Sequence, residues 1–299
     1  MSVPSLEIGP VTVYFGEKSG KYPDGNQVVV RGRDAIAVFD MPLVANRLGP
    51  ELEAADLVIL GHVHEDHMAG LHSVPRLPVY APDEDLAAVQ SWEGLAKHYG
   101  YRAQVLAAMR TKIERNFHYF PRPDAIGYPD GQLWDLGGVQ IRAVHMPGHT
   151  AGHSVLLVEP EGIAFIGDID LTGFGPYYGD GCSSLPAFRR TLEEIAGLPA
   201  RAWVTFHHKG VITERAKFLE LLAAFKEKID RRERAILEAL AAQPRSLDAL
   251  VAHRFLYPPD YGELYIDDAE RKSITEHLDE LIASGRVALH EGIYRRAHG

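Results

Sequence analysis

Three histidines and two acids fall within six positions of the segment VILGHVHEDHMAG (residues 58–70): His62, His64, Glu65, Asp66 and His67. They directly follow an apolar run, so the chain places costly polar groups at the end of a strand that we expect to be buried. Imidazole and carboxylate groups bind zinc, iron and manganese. A lone histidine favours a structural role, but the order H-x-H-x-D-H favours a metal site over a histidine-rich surface turn.

The spacing within this segment indicates two neighbouring ligand positions. His62 and His64 alternate, so in an extended loop their side chains point to the same side. We expect a helix to begin near Glu65 and to turn Asp66 and His67 toward a second metal, slightly displaced from the first.

Further ligand-type residues follow other predicted strands. His149 comes after a strand that ends near Met146, at the start of HTAGH. Asp168 follows the apolar AFIG, a suitable position for a carboxylate that bridges two cations. The strand WVTF leads directly to His207 and His208, and the residues alone leave the choice between these two open.

Composition limits the classes of protein. The chain has 299 residues, 46% of them hydrophobic, enough for one large core or two domains. A formal charge of −10 argues against a protein that mainly holds nucleic acid, because phosphate backbones attract basic surfaces. The single cysteine, Cys182, excludes a cysteine-based zinc cluster. Since neither a secretion signal nor an apolar run of about eighteen residues is visible, we predict a cytoplasmic protein without a membrane span.

The first two thirds of the chain alternate between strands and helices. Strands are predicted for VTVYFG, NQVVVRG, AIAVFD and DLVILGH, and later for VQIRAVHMPG, SVLLVEP, GIAFIGD and RAWVTF. DEDLAAVQSWEGLAKHYG predicts a single helix that ends at Gly100, and SLPAFRRTLEEIAGL predicts another. The segment RNFHYFPRPDAIGYPDGQ, rich in proline, glycine and aromatic residues, predicts a long loop.

The pattern changes near Thr213. A long helix is predicted up to Pro244, followed by a short helix capped by Ser246, a helix over DDAERKSITEHLDELIASGR and a hairpin over VALHEGIYRR. Three helices and a hairpin predict a small winged-helix-like α/β module. We therefore predict two domains, residues 1–213 and 214–299.

Taken together, the motifs resemble those of the metallo-β-lactamase fold superfamily. HVHEDH, PGHTAGH, the GD pair at Gly167–Asp168 and the late histidine occur in that family's order, over residues 10–213. The resemblance implies an α+β fold, a four-layer αββα sandwich, followed here by the winged-helix-like module. It also implies a metal-dependent hydrolase.

Carried over to this chain, the resemblance implies seven metal ligands: His62, His64 and His149 for one ion, Asp66, His67 and the late histidine for the other, with Asp168 bridging. His208 is preferred as the late ligand because HKGV resembles the family's histidine before a small-residue turn, and His207 is the alternative. His153 then orients its loop, and Asp40 steadies a ligand histidine by hydrogen bonding. The cofactor implied is a pair of divalent ions, zinc first and manganese or iron as alternatives.

These assignments predict a hydroxide, bridging two metals, that attacks a small ester, thioester, lactone or phosphoester. Asp66 is predicted to be both a ligand and a catalytic group that accepts or orients the proton of the nucleophile. Tyr177 and Tyr178 follow Asp168 in a glycine-rich loop, and their hydroxyls are candidate donors to a developing oxyanion; packing under the loop is the alternative. The expected partner is a small-molecule substrate.

Three other functions stay open at this point. A phosphodiesterase or endoribonuclease is suggested because the C-terminal segment resembles the tail of a hydrolase subgroup that includes an endoribonuclease. The acids around Arg271 and Lys272 argue against nucleic-acid reading by that tail. An iron-dependent sulfur dioxygenase is not expected to need the whole second ligand group, and a non-catalytic metal-stabilised binding module is not expected to keep a complete set. The tail is expected to pack on the main domain, to shape the pocket mouth or to form a homodimer contact.

Overall fold

The computed structural model describes residues 3–297, so residues 1–2 and 298–299 of the two predicted domains lie outside it. Within this range two large sheets face each other. The strands of the first sheet, in their order across it, are β1 (Ser5–Ile8), β2 (Val11–Tyr14), β3 (Gln27–Arg31), β4 (Ile36–Phe39), β5 (Leu57–Ile59), β6 (Val79–Pro82) and β7 (Ile126–Tyr128). Strands β1 to β4 pair antiparallel, whereas β4 to β7 pair parallel.

The second sheet follows later in the chain. Its strands are β8 (Leu133–Asp135), β9 (Gln140–His145), β10 (Ser154–Glu159), β11 (Ile163–Phe165), β12 (Ala202–Val204) and β13 (Val211–Ile212). Across the sheet they run from β13 to β8 without a break in order. Only the pair β11 and β12 is parallel among the described pairings of this sheet.

Helices cover the outer faces of both sheets. On the first sheet lie α1 (Pro50–Glu53), α2 (Leu86–Gln90), α3 (Trp92–Tyr99) and α4 (Ala103–Asn116), and on the second lie α5 (Leu185–Glu194) and the first half of α6 (Arg215–Ala242). Short 3₁₀ helices span Leu43–Arg47, Leu71–Ser73 and Ile195–Gly197. In the described part of the chain, no helix combines the length and apolar character needed to cross a membrane.

Alternation along the strands produces the layers. In β3, Val28 and Val30 point between the sheets while Val29 packs under the helices of the first sheet. Phe39 and Phe165, one from each sheet, meet in the middle with ring centroids 5.7 Å apart. The α+β class and the αββα sandwich are therefore confirmed.

The C-terminal part has a small core of its own. The end of α6 packs with α7 (Leu247–His253), α8 (Ile266–Ala283) and a sheet whose strand order is β14 (Arg245–Ser246), β16 (Ile293–Arg296), β15 (Val287–His290). The boundary predicted at residue 214 precedes α6, whose first half packs in the core of the second sheet and whose last turns belong to the C-terminal core.

The helices between β6 and β7 differ from the prediction. The helix predicted up to Gly100 divides into α2 and α3 at Ser91, because Ser91 adopts an extended backbone and its side chain accepts a hydrogen bond from the Gly94 amide. Helix α4 was missed in the sequence, and its last residues together with β7 fall within the segment predicted as a long loop.

One contact between α8 and the sandwich depends on pH. His277 of α8 is buried, and its Nε2 lies 2.8 Å from the hydroxyl of Tyr178. Burial, helped by the charges of Arg189 and Arg232, lowers the pKa of His277 to about 3. In the unfolded chain a histidine titrates near about 6.5. Between about pH 6.5 and pH 3 the unfolded chain therefore binds a proton on His277 that the folded protein does not bind. The free energy of unfolding is for this reason unaffected by protonation of His277 above about pH 6.5 and decreases as the pH falls toward 3.

We expect the wild-type protein to lose about 1 kcal/mol more free energy of unfolding than His277→Gln when the pH falls from about 7 to about 5.5. Glutamine does not titrate, so it removes the proton linkage while keeping a polar partner for Tyr178. Urea unfolding of both proteins at both pH values measures the difference. Equal losses would show that His277 is not held neutral.

Candidate metal centre

The predicted ligand residues meet where parallel strands end. In the first sheet β4 leads to Asp40 and β5 leads to the segment 62–67, and in the second β11 leads to Asp168 and β12 to His207. Parallel neighbours have their carboxyl ends at the same edge of a sheet, so the loops that follow them lie together. The amide of Ser154 donates to the carbonyl of Gly61 at 2.8 Å, which joins the two sheets beside this edge.

The first group of side chains consists of His62, His64, His149 and Asp168. Nε2 of His62 lies 3.2 Å from Nδ1 of His64, and Nε2 of His149 lies 3.1 Å from the same Nδ1. Oδ2 of Asp168 is 3.3 Å from Nε2 of His149. One ligand atom from each of the four lies within 4.8 Å of the others, which is close enough to surround a single cation.

The second group consists of Asp66, His67 and His207. Nε2 of His207 lies 3.1 Å from Oδ2 of Asp66, and Nε2 of His67 lies 3.9 Å from Oδ1. Asp168 reaches this group with its other oxygen, Oδ1, which is 3.2 Å from Nε2 of His67 and 3.8 Å from Nε2 of His207. The two groups share Asp168 and fit a binuclear metal site.

Two buried atoms at the shared edge support this fit. Nε2 of His67 and Oδ1 of Asp168 lie 3.2 Å apart, but within the described residues neither atom makes a well-aligned hydrogen bond. Buried polar atoms are normally compensated, and a cation between them would compensate both. Burial alone raises the pKa of Asp168, but the charges of His67 and His207 outweigh it and hold the pKa well below its usual range. The carboxyl group is therefore ionised, the form that binds cations.

Carboxylates stand behind two of the histidines. Oδ2 of Asp40 lies 2.8 Å from Nδ1 of His67, so Asp40 does contact a ligand-type histidine, as the sequence predicted. Oδ2 of Asp180 lies 2.9 Å from Nε2 of His64. A ring nitrogen that donates outward leaves the opposite nitrogen with its lone pair toward the centre.

Backbone carbonyls do the same for two further rings, those of His149 and His207, whereas Nδ1 of His62 has no hydrogen-bond partner among the described residues. Nδ1 of His149 lies 3.0 Å from the carbonyl of Tyr177, and Nδ1 of His207 lies 2.7 Å from that of Gly20. The turn before His149 requires glycine, because Gly148 has a φ of +135° and a Cβ there would lie 2.3 Å from Cα of Phe188.

Sequence reasoning missed Asp85, which ties two of the motif loops together. Its carboxylate accepts hydrogen bonds from the amide of Val63 at 3.3 Å, the hydroxyl of Thr150 at 2.7 Å and the amide of Gly152 at 2.9 Å. In the sequence it was one of several acids in PDEDL at the start of a helix. Its complete burial, which depends on the other sheet, distinguishes it.

The structure brings His207 to the centre, and not His208, which the sequence had preferred. The two neighbours diverge because His208 has a positive φ of 60°, which turns the chain between them. The hydroxyl of Thr205 holds this tight loop by donating to the carbonyl of His207 at 2.6 Å. His208 lies on the wall of the cavity over the site.

The helix expected near Glu65 is also absent from this part of the described chain. Residues 65–67 form a turn, in which the amide of His67 donates to the carbonyl of His64 at 3.2 Å. The turn still directs Asp66 and His67 toward the second group, because Met41 pins it through hydrogen bonds to His67 and Gly70.

The two candidate substrate tyrosines occupy different places. Tyr178 is fully buried and its hydroxyl faces His277, so the structure does not bring it to the cavity. Tyr177 lines the cavity, but its hydroxyl donates to Oδ1 of Asp180 at 3.0 Å and lies 2.8 Å from the hydroxyl of Tyr101. A hydroxyl engaged in this way is not free to stabilise an oxyanion.

A cavity of about 300 Å³ opens over the two ligand groups. Its wall is largely aromatic, and the segment 257–265 of the C-terminal part contributes to it as well as the sandwich. The C-terminal part thus shapes the pocket mouth, one of the roles expected for it.

A sequence profile described as the metallo-beta-lactamase superfamily matches residues 25–229, more than half of the chain. The chain is 28% identical to an atrochrysone carboxyl ACP thioesterase of Pseudocercospora fijiensis, over 92% of this chain and 75% of that protein. It is 29% identical to a hydroxyacylglutathione hydrolase of Methylococcus capsulatus, over 76% of this chain and 79% of that one.

Solved structures with the same fold include two bacterial proteins. A metallo-beta-lactamase family protein from Thermus thermophilus superposes with a TM-score of 0.71 at 21% identity, covering 99% of this chain and 98% of its own. A beta-lactamase domain protein from Burkholderia ambifaria gives a TM-score of 0.67 at 17% identity, and the superposition covers 98% of this chain and 94% of that protein. At these identities the likeness shows the fold.

The difference between the two late histidines is directly testable. We expect His207→Ala to lose about one metal ion per chain, because it removes a nitrogen from the second group, and His208→Ala to keep the wild-type content. Elemental analysis after dialysis measures both, and far-UV circular dichroism checks that each variant is folded. Loss in His208→Ala alone would restore the original preference.

We expect Asp40→Asn to weaken metal binding by about 10- to 100-fold, because the carboxylate that orients His67 is lost. Competition with a coloured chelator measures the affinity. The exposed carboxylate of Asp34 provides a control, and Asp34→Asn should bind metal like the wild type. Unchanged affinity in Asp40→Asn would mean that the hydrogen bond to His67 has no such role.

Proposed function

The chain belongs to the metallo-beta-lactamase superfamily, and on this basis we propose that it is a dinuclear metal-dependent hydrolase of small-molecule thioesters or esters. The observation that carries the proposal is the position of the Asp168 carboxylate. Its Oδ2 faces His149 of one ligand group, and its Oδ1 faces His67 and His207 of the other.

In this proposal His62, His64 and His149 hold one ion, Asp66, His67 and His207 hold the second, and Asp168 bridges them. Zinc is the first choice, with manganese or iron as alternatives, since histidine and carboxylate ligands accept all three. When bound, two divalent ions polarise a substrate carbonyl and lower the pKa of a water molecule toward about 7, which supplies a nucleophile at neutral pH.

Asp66 is the protein group proposed to handle the proton of the nucleophile. It lines the cavity, and its Oδ2 lies 3.1 Å from Nε2 of His207, which fixes the orientation of the carboxylate. Burial raises the pKa of Asp66, but His67 and His207 outweigh it, so the pKa lies below its usual value. An ionised, oriented carboxylate accepts a hydrogen bond from the attacking group. This hydrogen bond keeps the lone pair of the attacking group directed at the substrate.

The surrounding tyrosines hold the charged groups of the site in place. Glu65 accepts hydrogen bonds from the hydroxyls of Tyr22, at 2.9 Å, and Tyr99. Burial and the charge of Glu65 raise the pKa of Tyr99 well above its usual value, so the phenol stays protonated and remains a donor.

The relatives and the cavity support the proposed substrate class. One relative is named a thioesterase and another a hydroxyacylglutathione hydrolase, which favours a thioester over a lactone or phosphoester. Within the described residues the cavity wall includes neither lysine nor arginine, which argues against a phosphodiester or RNA substrate. The two complete ligand groups argue against a one-iron dioxygenase and against a non-catalytic module.

Several finer predictions from the sequence carry over as part of this proposal. They are the two domains at residues 1–213 and 214–299, the winged-helix-like character of the second, cytoplasmic location and a homodimer contact.

We expect zinc-loaded protein to release thiol from acyl-N-acetylcysteamine thioesters at neutral pH and chelator-treated protein to lose this activity until zinc is restored. Asp168→Ala should lower kcat/KM by more than about 100-fold, because both ligand groups lose a carboxylate oxygen. The exposed Asp279 provides the control, and Asp279→Ala should match the wild type. Full activity in folded Asp168→Ala would rule out the dinuclear scheme.

A further inference from the structure

A stack of aromatic rings begins at the metal centre and leads away from it. The rings of His64 and Tyr99 have centroids 5.9 Å apart and an interplanar angle of 4°. Tyr99 stacks on Tyr101 at 5.6 Å and 20°, and Tyr101 stacks on Tyr265 at 6.0 Å and 9°. All four residues line the cavity. At these separations aromatic pairs attract each other, so the rings hold one another in a row along the cavity. A planar group that enters beside the centre therefore meets an aromatic wall.

More rings continue this wall toward the mouth of the cavity. Tyr257 and Tyr261 stack at 5.4 Å with an angle of 8°, and Phe174 lies 5.5 Å from Tyr257 at 52°. These three residues also line the cavity. The wall is thus built jointly by the sandwich and by the segment that precedes α8.

Hydrogen bonds to the carboxylates of Glu65 and Asp180 fix the inner rings. Tyr99 donates to Glu65, and Tyr101 donates to Asp180. Because these two hydroxyls are already engaged inside the protein, a substrate meets the aromatic carbons of the inner rings rather than free donors. Rings fixed before binding lose little conformational entropy when a flat ligand packs on them.

Ionic contacts hold the C-terminal rings against the sandwich. Asp268, three residues after Tyr265, accepts from the backbone amide of Arg102 at 3.2 Å and from its Nε at 2.6 Å. The buried Glu270 accepts from the amide of Tyr257 at 2.8 Å. Both contacts position a ring of the wall through α8.

The wall is poorly suited to an anionic substrate group. In the described lining, acids such as Glu65, Asp170 and Asp180 occur without any lysine or arginine. Beyond the histidines of the metal centre, a carboxylate on the acyl group would therefore meet acidic side chains and no lysine or arginine that could compensate its charge.

We propose that the acyl group recognised by this cavity is neutral, planar and aromatic, and that Tyr265 determines this preference by completing the ring stack. The reaction, though not the binding, rests on the hydrolase function proposed above. The cavity of about 300 Å³ is at the small end for ligand sites and suits one compact acyl group.

The test compares N-acetylcysteamine thioesters of 2-naphthoic, hexanoic and succinic acids on full-length, zinc-loaded protein. We expect the lowest KM for the naphthoyl ester and the highest for the anionic succinyl ester. Tyr265→Leu should raise the naphthoyl KM about fivefold and leave the hexanoyl KM within about twofold, while Tyr265→Phe, which keeps the ring, should resemble the wild type. Tyr294→Leu, in the C-terminal hairpin outside the cavity, is the matched control and should change neither KM.

Two further measurements keep the test decisive. Tyr261 is 42% exposed, so Tyr261→Leu should fold even if Tyr265→Leu does not, and it should raise the naphthoyl KM selectively as well. Calorimetric binding of N-(2-acetamidoethyl)-2-naphthamide, the uncleavable amide analogue, separates binding from reaction. Binding that weakens in the tyrosine variants without any thioester hydrolysis would support the aromatic site and reject the hydrolase. Equal KM values for naphthoyl and hexanoyl esters, unchanged by the variants, would overturn the aromatic preference and leave the hydrolase standing.

Discussion

Everything at the centre depends on keeping the carboxylate of Asp168 ionised in a buried place. Burial opposes ionisation, and the histidines on either side of the carboxylate reverse that effect. They can do so only if two strands from different parts of the chain, β11 and β12, end beside the loop that follows β5. The αββα sandwich meets this condition because both sheets present the carboxyl ends of parallel strands at one edge.

The buried carboxylates around the centre also need partners that compensate their charge. Asp40 and Asp180 stand behind histidines, and Asp180 in turn accepts from the hydroxyls of Tyr101 and Tyr177. Each buried charge is thus paired through a second residue, as buried ions require. The same hydrogen bonds fix the rings of Tyr99, Tyr101 and Tyr177 along the cavity, since their hydroxyls satisfy the carboxylates.

The sequence was informative where chemistry is local and silent where it depends on distant contacts. The H-x-H-x-D-H segment and the acid after a strand could be recognised because ligand types and spacing lie within a few residues. The choice between His207 and His208 could not, since it turns on one backbone angle in a loop held by Thr205. Asp85 was equally hidden, because its burial is created by the other sheet. Helix α4 was missed although its sequence is local.

The residues that would bind the metals and the residues proposed to select the substrate lie in different parts of the fold. The two ligand groups lie entirely in the sandwich, whereas Tyr257, Tyr261 and Tyr265 reach the cavity from the C-terminal part. Metal ligands tolerate little change, because their spacing is set by the ions. Rings that contact only the far end of a substrate are under no such constraint. A hydrolase built in this way can change its substrate through the segment before α8 while Asp168 and its neighbours stay as they are.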